Sequence, residues 1–399
     1  MTQRRSLNVQ ALALVFGSAI AQLLVAVLFI LTARGMRPDE YGPIVTVIGL
    51  GMAGAGFVDL GSNAYWIREL ASGRITQPEL SARASTRFLI ALAITAIVVV
   101  ASLFMAPAFA AAGVLLLTAS TAQAVLVPLR ADRRAEAVSW LTVLGRAVSV
   151  AIFLVQLRVG VEPGLRLWTS LALGDIALVL CALAKTPTHH RLKLRTRRLS
   201  NPWAGAKWYA ISTLSTTAAQ LDLPIVAALA GPNAAGIYGA VNRWTQPVVV
   251  ATGAFAQAAA PFMASTTRFM ALRGQLLRAS WILAVAVGAC AAIFVLAPWL
   301  VSSLLGENFK DAAPVLRLLA VAMLLNTVTQ PLTVALQSRR LDRLAAILVV
   351  ITAATQLIAT SILAPQFGAL GAGVGVLAAQ VVGLIATVSS VAAIARNRT

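Results

Sequence analysis

Five charged residues lie deep inside long apolar runs of this chain: Asp59, Arg146, Asp175, Asp222 and Arg243. An ionisable group in hydrocarbon costs roughly 3 kcal/mol or more unless it is paired or faces water, so each is a candidate for function. Arginine offers a planar fork of donors that grips oxyanions two-handed, whereas aspartate offers a seat for a cation or a proton. With a rise of about 1.5 Å per residue, Arg146 and Asp175 fall at equal depth in successive helices, which predicts a structural ion pair. Asp222 and Arg243 are level too, each about seven residues from the turn that joins their helices. A pair and a binding site are both open there. Gln220, Asn242 and Gln246 stand beside them, and Pro224 and Pro247 loosen the nearby backbone. Asp59, in the stretch FVDLG, has no obvious basic partner at its depth. It reads as a cavity carboxylate, a proton-coupling group or a helix-end group reaching toward water.

The elements that must position these groups are membrane helices. Of the 399 residues, 59% are apolar and only 11% charged, a composition that cannot keep its surface out of water as an ordinary soluble globule. By the ruler of about 20 apolar residues per span, about twelve segments follow. The first six run near Ala11–Thr32, Pro43–Tyr65, Phe88–Met105, Ala108–Leu129, Val138–Leu157 and Leu167–Ala184. The second six run near Trp208–Ala230, Ala235–Met263, Ala279–Leu304, Pro314–Leu336, Leu344–Leu363 and Gly371–Ile394. The expectation is an all-α integral membrane protein with six helices in each of two lobes related by pseudo-two-fold symmetry. Residues 1–184 form the first lobe, 185–207 a basic linker and 208–399 the second.

That linker, KTPTHHRLKLRTRRLSNPWAGAK, holds seven lysines and arginines and no acid. Positive charge is retained on the cytoplasmic side, and threading the chain from this anchor biases the basic residues toward that side by roughly four to one. Both termini are then cytoplasmic and the membrane is the cell (inner) membrane. The net charge of +19 has no interleaved aromatic platform, so nucleic acid is not an expected partner. His189 and His190 read as solvated loop residues, and Cys181 and Cys290 sit in apolar segments, so no metal site is expected. No GxxxxGK[ST] loop, HExxH or nucleophile elbow is present, and no outer loop is long enough for a catalytic domain. The chain is therefore read as a non-enzyme, without catalytic residues or cofactor. A membrane-embedded glycosyltransferase or polymerase is disfavoured by the same missing loop.

The halves echo each other weakly. ARGMRPDEYGPIV follows the first helix and ALAGPNAAGIYGAV the seventh; in each a helix ends, a proline-bearing turn follows, and Tyr-Gly opens the next helix. Such a parallel repeat places a cavity between two lobes.

These stretches, with FVDLGSNAYWIREL, LLGENFKDAAPVLRLLA and FGALGAGVGVLAAQ, resemble in order and spacing the polysaccharide (O-antigen type) flippases of the MATE-like superfamily. The resemblance spans nearly the whole chain, although no one piece of it is a sharp motif. The chain is shorter than the lipid II flippases, which often carry two more helices. The resemblance implies alternating access, with a polyprenyl-pyrophosphate-linked oligosaccharide carried from the inner to the outer leaflet. It further implies membrane lipids, glycosyltransferases and a glycan polymerase as partners. Because the first helices of each lobe line the cavity in such flippases, Arg243, Asp222, Asn242, Gln246 and Asp59 become candidate substrate-binding residues, with Arg243 suited to the pyrophosphate. The alternative is a MATE-like exporter of drugs or other small molecules, for which more unpaired carboxylates are expected.

Overall fold

The computed structural model describes residues 7–104, 106–188, 191–194, 199–245, 280–338 and 341–396. Gln246, the histidine pair, and Arg195, Arg197 and Arg198 of the linker lie outside the described residues. The protein is all-helical, and ten helical stretches among the described residues are long and apolar enough to cross a membrane. Two of the ten contain a residue of non-helical backbone, Gly231 (φ 84°) and Gly368 (φ 58°). Dividing those stretches at their glycines gives twelve helical pieces among the described residues, while most of the expected eighth segment, Ala235–Met263, lies outside the described residues. Large apolar side chains such as Ile97, Leu103 and Phe104 point outward, as a helix facing lipid requires.

Two compact units share the chain. One gathers Met1–Thr32 with Pro43–Pro224, the other Ala33–Gly42 with Ile225–Thr399. The helices that make up the first are α1 (Leu7–Ala33), most of α2 (Pro38–Asp59), α3 (Ser62–Ala71), α4 (Gln77–Phe104), α5 (Ala110–Val125), α6 (Val127–Ala131), α7 (Ala135–Val159), α8 (Pro163–Lys185) and α9 (Lys207–Ala219). Within it α4 packs on α5, α5 on α8 and α7 on α8. The second contains most of α10 (Asp222–Asn242), then α11 (Ser280–Leu304), α12 (Ala312–Ser338) and α13 (Asp342–Arg396). There α11 packs on α12 and α12 on α13.

Three local features depart from the sequence reading. The second span does not continue to Tyr65. It ends at Asp59, where Leu60 and Gly61 take positive φ of 42° and 71°, and the short helix α3 turns away. Glycine is needed at 61 for a second reason: a Cβ there would lie 2.5 Å from the Tyr209 carbonyl oxygen. The third span begins at Gln77, well before Phe88, so Arg83 and Arg87 are helical residues and not loop charges.

The third departure is the central segment, which is docked on the first unit where described. The Trp66 indole donates to the Pro202 carbonyl (3.1 Å), the Trp203 indole to Val58 (3.1 Å), and Arg83 to the Ala204 carbonyl (3.1 Å). Ser200 N–H donates to Thr86 Oγ1 (3.1 Å), and Leu192 packs against the cores around Trp66 and Leu126. A strap without regular structure meets its backbone valences this way, from the side chains of α3 and α4.

Candidate functional site

Asp59 is not unpartnered. Arg87 Nη1 lies 2.6 Å from its Oδ1, forming an ion pair whose arginine is 2% and whose aspartate is 20% exposed. The pairing follows from the two departures above, because ending α2 at Asp59 and extending α4 down past Arg87 brings the two side chains together. The same Oδ1 accepts from the Ser62 hydroxyl and from the Asn63 N–H in the first turn of α3, both at 3.0 Å. Arg87 also donates to Ser62 Oγ (2.6 Å) and the Ser120 carbonyl (3.4 Å), and its guanidinium stacks 4.5 Å from the centre of the fully buried Trp66 ring. Arg130, half-buried, donates to Gln123 Oε1 (3.4 Å).

Arg146 and Asp175 meet with Nη2 2.9 Å from Oδ1, the aspartate only 3% exposed and the arginine 17%. Their helices run close because small residues line the crossing. A Cβ added at Gly174 would collide with Ser149 Oγ and come within 2.6 Å of the Gly145 carbonyl. That contact sets the α7–α8 separation at which the two side chains reach each other.

The remaining candidates divide between the units. Asp222, which opens α10, belongs to the first unit, is buried, and accepts the Leu223 N–H (2.7 Å). The helix is interrupted just before it, at Gln220–Leu221, where the sequence suggested an unbroken span. Asn242 and Arg243 belong to the second unit, at the point where α10 gives way to a 3₁₀ turn over Arg243–Thr245. Arg243 lies within electrostatic reach of Tyr41, a fully buried ring packed edge-on against Phe309 (centroids 5.9 Å apart). Tyr41 is one of the two Tyr-Gly tyrosines of the sequence repeat, and Tyr238, the other, is fully buried too.

Two arginines in the interior were not singled out by the sequence. Arg87 falls just outside the span Phe88–Met105 read from the sequence, at the end of the polar stretch QPELSARASTRF. The spacing of Arg83 and Arg87, four apart as on one helix face, was the available signal. Arg166 falls one residue before the span Leu167–Ala184 read from the sequence, yet it is only 7% exposed, one turn into α8. The signal for it was Glu162-Pro163, a helix-starting pair. The Glu162 carboxylate caps Gly164 and Leu165 N–H (3.0 and 2.8 Å), and proline fits the first helical position.

No protein-family model matches this chain, and no curated protein matches it in sequence. Solved structures do match in fold. The inward-facing conformation of a multidrug resistance MATE family transporter of the MOP superfamily superposes with a TM-score of 0.72 at 15% identity, covering 95% of this chain and 96% of that one. An outward-facing conformation of such a transporter gives 0.63 at 15% identity, over 96% and 94%. A MOP superfamily transporter from Pyrococcus furiosus, described as having a binding pocket of reverse polarity that suggests a different function, also gives 0.63 at 15%, over 98% and 97%. The chain thus has the fold of the MATE transporters, a multi-pass helical membrane fold.

Proposed function

We propose that this protein is a transporter that moves a polyprenyl-pyrophosphate-linked oligosaccharide from the inner to the outer leaflet by alternating access. The observation that carries the reading is the charge balance of the described interior. Asp59 and Asp175 are each held by an arginine, and Asp222 accepts a backbone N–H. The described interior also holds Arg166, buried with its Nε unpartnered, and the half-buried Arg130. Such an interior favours an anionic cargo, because an oxyanion meets charge-assisted donors, whereas a small cation would meet carboxylates at Asp59 and Asp175 that are already paired. The fold supports transport in general, since its neighbours include inward- and outward-facing conformations. The reverse-polarity pocket attributed to the Pyrococcus furiosus protein supports the idea that this fold serves more than one function.

On this reading Arg243 holds the cargo's pyrophosphate, and Asp222, Asn242, Gln246 and Asp59 remain candidate substrate-binding residues. The protein sits in the inner membrane with both termini in the cytoplasm. Glycosyltransferases that build the sugar-lipid and a polymerase that consumes it are its working partners. The test is a clean deletion in a strain without a paralogue. Sugar-lipid should accumulate on the inner leaflet while its synthesis continues, and normal outer glycan would remove the hypothesis.

A further inference from the structure

Arg166, buried among the described residues, has a stacking partner but no anion. Its guanidinium lies 4.7 Å from the centre of the Phe153 ring, which is itself fully buried. Its Nε is buried with no hydrogen-bond partner, and no carboxylate among the described residues forms an ion pair with it. The polar groups of neighbouring sequence are committed elsewhere. Glu162 caps the start of α8. Gln156 Oε1 accepts from the hydroxyls of Thr169 (3.2 Å) and Ser170 (3.1 Å). A buried guanidinium with an unmet donor is costly in an apolar setting, and a ring face offsets only part of that cost.

We propose that Arg166 is an oxyanion site, taking a phosphate or pyrophosphate group at the end of the first unit where α7 turns into α8. The Nε edge and one terminal nitrogen form the fork that grips two oxygens, and Phe153 fixes the plane of that fork. This extends the transport reading and rests on it: the cargo's phosphates would have a station here besides the one at Arg243. A phospholipid headgroup presents the same chemistry.

The experiment uses the full chain, purified in an uncharged detergent. Thermal unfolding is followed with sodium pyrophosphate against chloride of equal ionic strength, and in nanodiscs of phosphatidylcholine with or without phosphatidylglycerol. The wild type should be stabilised by pyrophosphate, by the anionic lipid, or by both, and which of them acts identifies the source. Arg166→Met, which keeps the bulk but not the charge, should be at least as stable without the anion and gain nothing from it. Arg166→Lys, a point charge without the fork, should bind about tenfold or more weakly. A wild type that responds to neither anion, or an Arg166→Met protein that is destabilised yet responds like wild type, overturns the proposal and makes Arg166 a strut on Phe153. Should Arg166→Met not fold, a stable Arg166→Lys of unchanged affinity overturns it instead. The two readings fail separately. Wild type that moves sugar-lipid without any anion response sinks only this site, and an anion response in a protein that moves no sugar-lipid sinks only the transport reading.

Discussion

Replacing Arg146 by leucine leaves Asp175, only 3% exposed and midway along α8, as a carboxylate without its cation. Removing one member of a buried pair costs about 3–5 kcal/mol, and the near-complete burial of Asp175 puts Arg146→Leu at about 5. The reciprocal change is cheaper. Arg146 is 17% exposed on a flexible stem, so in Asp175→Leu the guanidinium has some freedom to swing toward water, and the loss should be about 3 kcal/mol. The double variant Arg146→Leu/Asp175→Leu should return to within about 2 kcal/mol of wild type, because replacing a whole buried pair by apolar side chains is often neutral. Reversible denaturant unfolding in bilayer-like discs gives all four free energies and hence the coupling between the two residues. Transport per folded molecule should stay near the wild-type level in the double variant, as expected of a strut. Equal and small losses, within about 0.5 kcal/mol for each single change, would refute the reasoning, since that is the behaviour of a solvated surface pair. A double variant as unstable as the two singles added together would also refute it.

At Arg243, alanine should abolish transport with the protein still folded and abundant, lysine should retain part of the activity, and exchange of Asp222 with Arg243 should fail. An exchanged protein that exports at the wild-type rate makes the two a structural pair instead. Arg87→Leu should destabilise the fold by about 3–5 kcal/mol, since it strands Asp59 and removes the cation stacked on Trp66. The Arg87→Leu/Asp59→Leu double should recover much of that, and a single change without effect in the unfolding assay counts against the cluster. Reporters fused after Arg198 and Arg268 should read cytoplasmic and one after Pro232 external. The opposite reading at Arg198 inverts the topology.

Where a charge sits in a long apolar run, its depth was legible in the sequence. Helix rise converts residue number into height, and this is why Arg146 and Asp175 read as level from the sequence alone. The partner of Asp59 was hidden because two helix boundaries had to move to reveal it. Leu60 and Gly61 end α2 by backbone dihedral, a conformation that a lone glycine suggests only weakly, and the polar first third of α4 looks like loop by composition. The central segment was legible as cationic but not as docked. Its attachment runs through backbone carbonyls of Pro202 and Ala204 and a Ser200 N–H, groups every residue carries and no side-chain pattern marks. Arg166 was hidden differently. Its charge suggested water, and only the packing of α8 against α7 shows that it is enclosed with Phe153.

The transport reading itself is tested most directly by reconstitution. Purified protein in liposomes loaded with a polyprenyl-pyrophosphate oligosaccharide in both leaflets should make the inner-leaflet pool accessible to an external sugar-modifying enzyme. Protein-free liposomes should expose only the outer half, and liposomes with the Arg243→Ala protein should behave like protein-free ones. Uptake or release of a lipophilic cation by the same liposomes, with the sugar-lipid left in place, would contradict the account and assign the chain to small-cation export.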